Sequence, residues 1–186
     1  MSNILCIETA TTNGSVALSI YGKQVILKED NSAQYSHAER LHPYIEAVLT
    51  LAKMNKKELT AIAVSKGPGS YTGLRIGVSA AKGLCYALGI PLISIATLKA
   101  LSHQVKCDKG SYIIPMLDAR RMEVYSAIFD ADYNQIRATE AQILEENSFE
   151  EYLEKGNVYF IGNGVSKFET VCKHPNAIFV KDALPS

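Results

Sequence analysis

An α/β protein built from two related halves is the fold class this sequence predicts, and three observations predict it. Apolar runs of strand length alternate with longer stretches of helical spacing, and glycine- and proline-marked turns separate them. The pattern that opens the chain also returns about a hundred residues later.

The opening run Ile4 to Glu8 is apolar and ends in an acid; a polar turn, Thr9 to Gly14, leads into the alternating stretch Ser15 to Ile20. Tyr21-Gly22-Lys23 turns the chain again before Gln24 to Glu29, so the first thirty residues predict a three-stranded antiparallel meander. Helical spacing follows from Ser36 to Lys53. Ser36 and Glu39 form a capping box, and the apolar positions recur every three or four residues, with a bend expected at Pro43. Asn55 to Glu58 reads as a short capped turn, Ala61 to Ser65 as a buried strand and Lys66 to Gly73 as a glycine-rich loop. A second helix is expected from Leu74 to Leu88, ended by a left-handed cap at Gly89, with Pro91 opening a strand over Leu92 to Ile95. Thr97 caps a helix reaching Val105, and Lys106 to Ser111 reads as the linker, giving expected lobes of 1–105 and 106–186. Beyond it the opening plan recurs. Tyr112 to Asp118 is an apolar strand ending in an acid, Met122 to Phe129 alternates, and Gln135 to Thr139 supplies a third strand.

Composition narrows the function classes. The chain is 47% apolar and carries 19 basic and 19 acidic residues, so it has no net charge and no basic run that marks an independent nucleic-acid binder. Its four cysteines are scattered without a C-x-x-C pair and read as reduced thiols. No secretory pattern or membrane-length apolar run is present, so the cytoplasm is the expected compartment and no membrane is expected among the partners.

The candidate site residues begin with the loop Lys66, Gly67, Pro68, Gly69, Ser70, Tyr71, Thr72 and Gly73, followed by Arg75. A strand, a glycine loop and a helix N-terminus aim free N–H groups at one place and can hold an anion. The loop fails the Walker pattern, however, and Thr72 occupies the last glycine position of G-x-G-x-x-G. Its glycines read first as devices for positive φ and close helix approach. Glu8 and Asp118 are the next candidates, since acids at strand ends can hold hydrated Mg²⁺; a hydrogen-bonded acid is the simpler reading of each. His37 and His42 stand five residues apart, a step that rotates them away from a shared ion on a helix, and no metal site is assigned. Ser70 lacks a G-x-S-x-G elbow. The two long helices could also present an apolar surface to a partner's helices. On the first helix this would involve Leu41, Tyr44, Ile45 and Val48. On the second it would involve Leu74, Gly77, Val78, Ala81 and Leu84, where small residues permit close approach. Burial against the lobe's own sheet is the competing reading.

The segments ILCIETATTNGSVAL, SHAERLHPYIEAVL, AVSKGPGSYTGLRIGVSAAKGL and MLDARRMEVYSAIFD together resemble the TsaB family, also called YeaZ, over Ile4 to about Gly164. That resemblance implies the actin, hexokinase and sugar-kinase superfamily fold, with two duplicated ribonuclease-H-like lobes. It implies a non-catalytic subunit that needs no cofactor and pairs with a TsaD-like catalytic subunit and a TsaE-like ATPase. Such an assembly places threonylcarbamoyl, from its adenylate, on the tRNA adenosine beside the anticodon, and the tRNA is met through the complex. The first and second helices would contact that partner, or a second copy when the partner is absent. The resemblance also raises two rivals, an ATP-dependent phosphotransferase using Glu8, Asp118 and the glycine loop, and a glycoprotease-like metallopeptidase. Two features depart from the family pattern. Glu8 stands where superfamily kinases have Asp, and family members continue beyond a point such as Ser186, which leaves the second lobe open to being incomplete.

Overall fold

A computed structural model describes residues 2–30 and 37–186. It divides into two compact units, residues 1–97 (with Ser186) and residues 98–185, referred to as the first and second lobes.

The first lobe opens with the expected meander, β1 (Asn3–Glu8), β2 (Gly14–Ile20) and β3 (Lys23–Asp30). Helix α1 (His37–Leu51) follows and runs through Pro43; Ser36 and the cap expected there lie outside the described residues. A capped 3₁₀ turn at Lys56–Glu58 has Asn55 and Glu58 satisfying each other's backbone N–H groups, the reciprocal arrangement their spacing predicts. It leads to β4 (Ala61–Ser65), α2 (Tyr71–Leu88) and β5 (Leu92–Ile95). Helix α2 starts one turn earlier than expected because Ser70 caps it, its hydroxyl accepting from Gly73 N–H at 3.2 Å. It ends at Gly89, whose φ of 67° is the left-handed cap that a glycine adopts without strain.

Strands β3, β2, β1, β4 and β5 stand side by side in that order; β1 runs antiparallel to β2 and parallel to β4, and β4 parallel to β5. Leu5, Ile7, Val16, Leu18, Ile62 and Val64 share one face, where they are buried against Leu41, Ile45, Val48 and Ala81 of the two helices.

The second lobe repeats the plan. Short helix α3 (Thr97–Ser102) precedes β6 (Tyr112–Asp118), β7 (Glu123–Asp130) and β8 (Gln135–Ile143). Helix α4 (Glu150–Leu153), β9 (Val158–Ile161), α5 (Val165–Val171) and β10 (Ala177–Val180) complete the order. Its five strands lie in the order β8, β7, β6, β9, β10, with β7 and β8 antiparallel and β9 and β10 parallel, which matches the first sheet in strand order and direction. One face carries an aromatic core of Phe149, Phe160 and Phe168, with ring centroids 4.8–5.7 Å apart. The other face packs on Leu98, Leu101 and Val105. Those three residues place the division at Thr97, ahead of the helix that the sequence alone assigns to the first lobe. A polar linker marks where composition changes, whereas the boundary follows the core that each side chain joins.

Candidate partner-binding face

The chemistry expected of the first lobe converges where β1 ends. Glu8 is buried, with one carboxylate oxygen accepting from Ala10 N–H at 2.6 Å and the other from the Ser65 hydroxyl. Burial pushes its pKa up, and its hydrogen bonds only partly pull it back. Such a carboxyl has both oxygens engaged inside the protein, the arrangement of a hydrogen-bonded acid.

The glycine loop lies directly against this turn. Gly67 adopts φ 103°, which a side chain would resist. Ser70 N–H donates to Ala10 O at 2.6 Å. A Cβ on Gly73 would overlap Thr9 O, one on Gly77 the Thr9 hydroxyl, and one on Gly69 the Ala10 backbone. The glycines therefore bring the helix start into van der Waals contact with the β1–β2 turn. This arrangement works against anion binding. Leu74 N–H is taken by Ser70 O and Gly73 N–H by the Ser70 hydroxyl, while the carbonyl oxygens of Thr9 and Ala10 face the helix start.

The histidines separate, as their spacing requires. His42 is exposed, while His37 is buried and its Nε2 lies 2.7 Å from Thr11 O, the geometry of an N–H donating to that carbonyl. A Cβ on Gly14 would collide with the His37 ring, so the histidine wedges the start of α1 onto the β1–β2 turn. This positioning role was missed in the sequence, where a lone histidine carries no signal of its target.

Glu8 and Asp118 do not hold equivalent places in their lobes. Glu8 alternates with the buried Ile7 and so points away from the α1–α2 face of its sheet, whereas Asp118 pairs with Val124 and lies on the α4–α5 face. Asp118 Oδ1 binds Lys167 Nζ at 2.6 Å and accepts from Arg120 N–H at 2.6 Å. Partial burial pushes its pKa up, but those partners together hold it below the usual carboxylate range. Among the described residues no group of three or more His, Cys, Asp or Glu side chains is placed to hold a metal ion.

The expected apolar helix face requires correction. Leu41, Ile45, Val48 and Ala81 are all at most 4% exposed, and Gly77 is buried; these residues are committed to the first lobe's own core. Helical periodicity identifies an apolar stripe, and the sheet beneath it has the first claim on that stripe. Tyr44, Leu74, Val78 and Leu84 are half-buried at its margins. The outward face of α2 is different in character. Tyr71 is 76% and Tyr86 93% exposed, and the Arg75 guanidinium lies 5.4 Å from the centre of the Tyr71 ring. Thr72, Arg75, Ile76 and Ser79 line a shallow open concavity beside them. Fifteen residues separate the tyrosines, a spacing that puts both on one side of the helix with Lys82 between them.

Two five-stranded lobes of one topology, each with two helices on the face that carries its larger core, define a duplicated ribonuclease-H-like protein of the actin, hexokinase and sugar-kinase superfamily. A family model described as TsaD, tRNA N6-adenosine threonylcarbamoyltransferase, matches residues 28–182. The tRNA threonylcarbamoyladenosine biosynthesis protein TsaB of Bacillus subtilis is 36% identical over 126 residues, 68% of this chain and 54% of that protein. The protein of the same name from Buchnera aphidicola of Acyrthosiphon pisum is 33% identical over 158 residues, 83% of this chain and 71% of that protein. YeaZ from Pseudomonas aeruginosa superimposes with a TM-score of 0.82 at 26% identity, over 100% of this chain and 86% of that one. The chain belongs to the TsaB (YeaZ) family, within the wider group that the TsaD model describes. It spans about half the length of the first curated relatives it matches, 51% in Haemophilus influenzae TsaB. No helix among the described residues is long and apolar enough to cross a membrane.

Proposed function

We propose that this chain is a non-catalytic, cytoplasmic partner subunit in tRNA threonylcarbamoyladenosine biosynthesis, binding and activating a TsaD-like catalytic subunit with a TsaE-like ATPase. Family membership supports the pathway, since the TsaB relatives carry it in their names. The observation that carries the partner role is the outward face of α2. Two widely exposed tyrosines and an arginine on one helix are the residue types that dominate binding energy when a partner desolvates them. In the partner's absence the same face pairs two copies of the chain, and tRNA is met through the assembled complex.

Size-exclusion chromatography with the TsaD-like subunit tests the interface. Tyr86→Asp is expected to keep the monomer folded and to abolish co-elution, because Tyr86 contributes almost nothing to the lobe's own core. Ala81→Arg should instead unfold the lobe, because its side chain has nowhere to go. Co-elution of Tyr86→Asp at the wild-type level would remove the interface from α2. Mass spectrometry of the modified nucleoside, in transfer reactions with and without this chain, tests the pathway role; equal yields would overturn it. The phosphotransferase reading predicts ATP turnover by the isolated chain that Glu8→Gln abolishes. The engaged, buried carboxyl of Glu8 argues against that result.

A further inference from the structure

Helix α2 turns charge of one sign outward. Arg75 and Lys82 are its charged residues, both cations and both exposed, and the helix contains no acid. They stand seven residues apart, about two turns or roughly 10 Å along one side of the helix. Among the described residues neither has an ion-pair partner, and the Arg75 guanidinium rests beside the Tyr71 ring instead. The lobe's carboxylates are engaged elsewhere: Glu8 with Ala10 and Ser65, Asp30 with Arg40, Glu46 with Lys56 and Glu58 with the Asn55 N–H. Between the two tyrosines the surface is low, since Ser79 lines the shallow concavity and nothing lies within 4 Å of a Cβ built on Gly83.

A second copy meets this surface with the wrong charge. In a twofold pair the same patch faces itself. An antiparallel crossing that seats Tyr71 on the copy's Tyr86 also sets Arg75 against the copy's Lys82, twice, because both pairs share a midpoint between Val78 and Ser79. A parallel crossing sets each cation against itself. Like charges brought face to face oppose association. RNA is also disfavoured, because affinity for a phosphate backbone grows with the number of phosphates neutralised, and this surface offers two cations.

We propose that the outward side of α2 selects a different protein over a second copy by charge. Its occupant is a partner helix that carries two carboxylates about two turns apart, one for Arg75 and one for Lys82, with Tyr71 and Tyr86 packing at either end. This inference rests on the reading of that side of α2 as the partner-binding face. It adds that the two pairings respond to salt in opposite directions: screening weakens the complex with the acidic helix and strengthens the self-pair.

The test uses the whole chain and the TsaD-like subunit, with affinity read by titration calorimetry and self-association by sedimentation, at about 50 and about 500 mM NaCl. The Kd for the subunit is expected to rise about tenfold with salt, and Arg75→Glu with Lys82→Glu to raise it by about thirtyfold at low salt. Tm should not change, because both side chains are exposed. The self-pair should tighten with salt, and wild type mixed with the doubly reversed variant should form mixed dimers in preference to either self-pair. Unchanged affinity on charge reversal would overturn charge selection even where Tyr86→Asp still abolishes co-elution. Wild-type co-elution of Tyr86→Asp would instead remove the partner-binding face, and this inference with it. Self-association that weakens with salt would overturn the proposal, as would binding of unmodified tRNA by the isolated chain that charge reversal abolishes.

Discussion

Replacing Gly73 by alanine tests whether the glycine loop exists for close approach. Gly73 is the third residue of α2, and a Cβ there lands inside the 3.0 Å that real Cβ contacts keep, against the carbonyl oxygen of Thr9. The side chain has no easy retreat, because His37 Cδ2 and Ser70 Oγ stand 3.3 Å away on other sides. Relief requires the helix start to back off from the turn, loosening the bonds from Ser70 N–H to Ala10 O and from Gly73 N–H to Ser70 Oγ. Overpacking of this kind costs about 1–3 kcal/mol, and alanine's better helix propensity offsets it by at most about 1 kcal/mol. Gly83, in the same helix, provides the control, since nothing lies within 4 Å of a Cβ built there. Gly83→Ala should therefore stabilise by about 1 kcal/mol, which is a Tm rise of roughly 2–4 °C for a chain of this size. Urea denaturation and calorimetry of the two variants should move in opposite directions. A Gly73→Ala protein as stable as Gly83→Ala would refute the packing role, and a glycine kept for ligand approach would become the better account.

Glu8→Gln keeps acceptors and donors for Ser65 and Ala10 while removing a charge. The folded-state pKa of Glu8 is raised above the unfolded value by burial, so the wild type loses stability as pH rises through that window. The variant should match or exceed the wild type near pH 8, the difference closing as pH falls toward 4.5, the value of an unperturbed Glu; a difference that grows on acidification in calorimetric scans contradicts this sign. Phe168→Ala should cost about 3–5 kcal/mol in denaturant titrations, because the ring is fully buried with centroids 4.8 Å from Phe160 and 5.4 Å from Phe149. A loss below about 1 kcal/mol would mean that the second lobe's aromatic core collapses to fill the space.

Turn chemistry and periodicity made most of the first lobe legible. The two meanders, the Asn55–Glu58 cap, the Gly89 terminus and the Pro91-led strand each rest on contacts within a few residues, which a linear pattern encodes directly. The site was less legible because its decisive contacts are long-range. Whether Ala81 faces a partner or the sheet depends on β1 and β4, and periodicity reports a stripe without saying what covers it. Glu8 and Asp118 look alike as acids at strand ends, yet one residue of register turns them to opposite faces, a distinction visible only once Leu117 and Met116 are assigned to separate cores. Gly73 and His37 were opaque for the same reason: their partner, the β1–β2 turn, lies more than twenty residues away in the chain.

The position of α3 bears on how the protein is synthesised. Leu98 and Leu101 leave the ribosome well before the residues they will cover, and Ile161, the last of those, emerges some sixty residues later. During that interval two greasy side chains wait beside a finished neighbour with no core of their own to enter. A nascent chain stalled between β5 and β9 would expose them, and a protease cut or fragment boundary at residue 105 would strip the later lobe of its lid, while one at 97 would keep lid and sheet together.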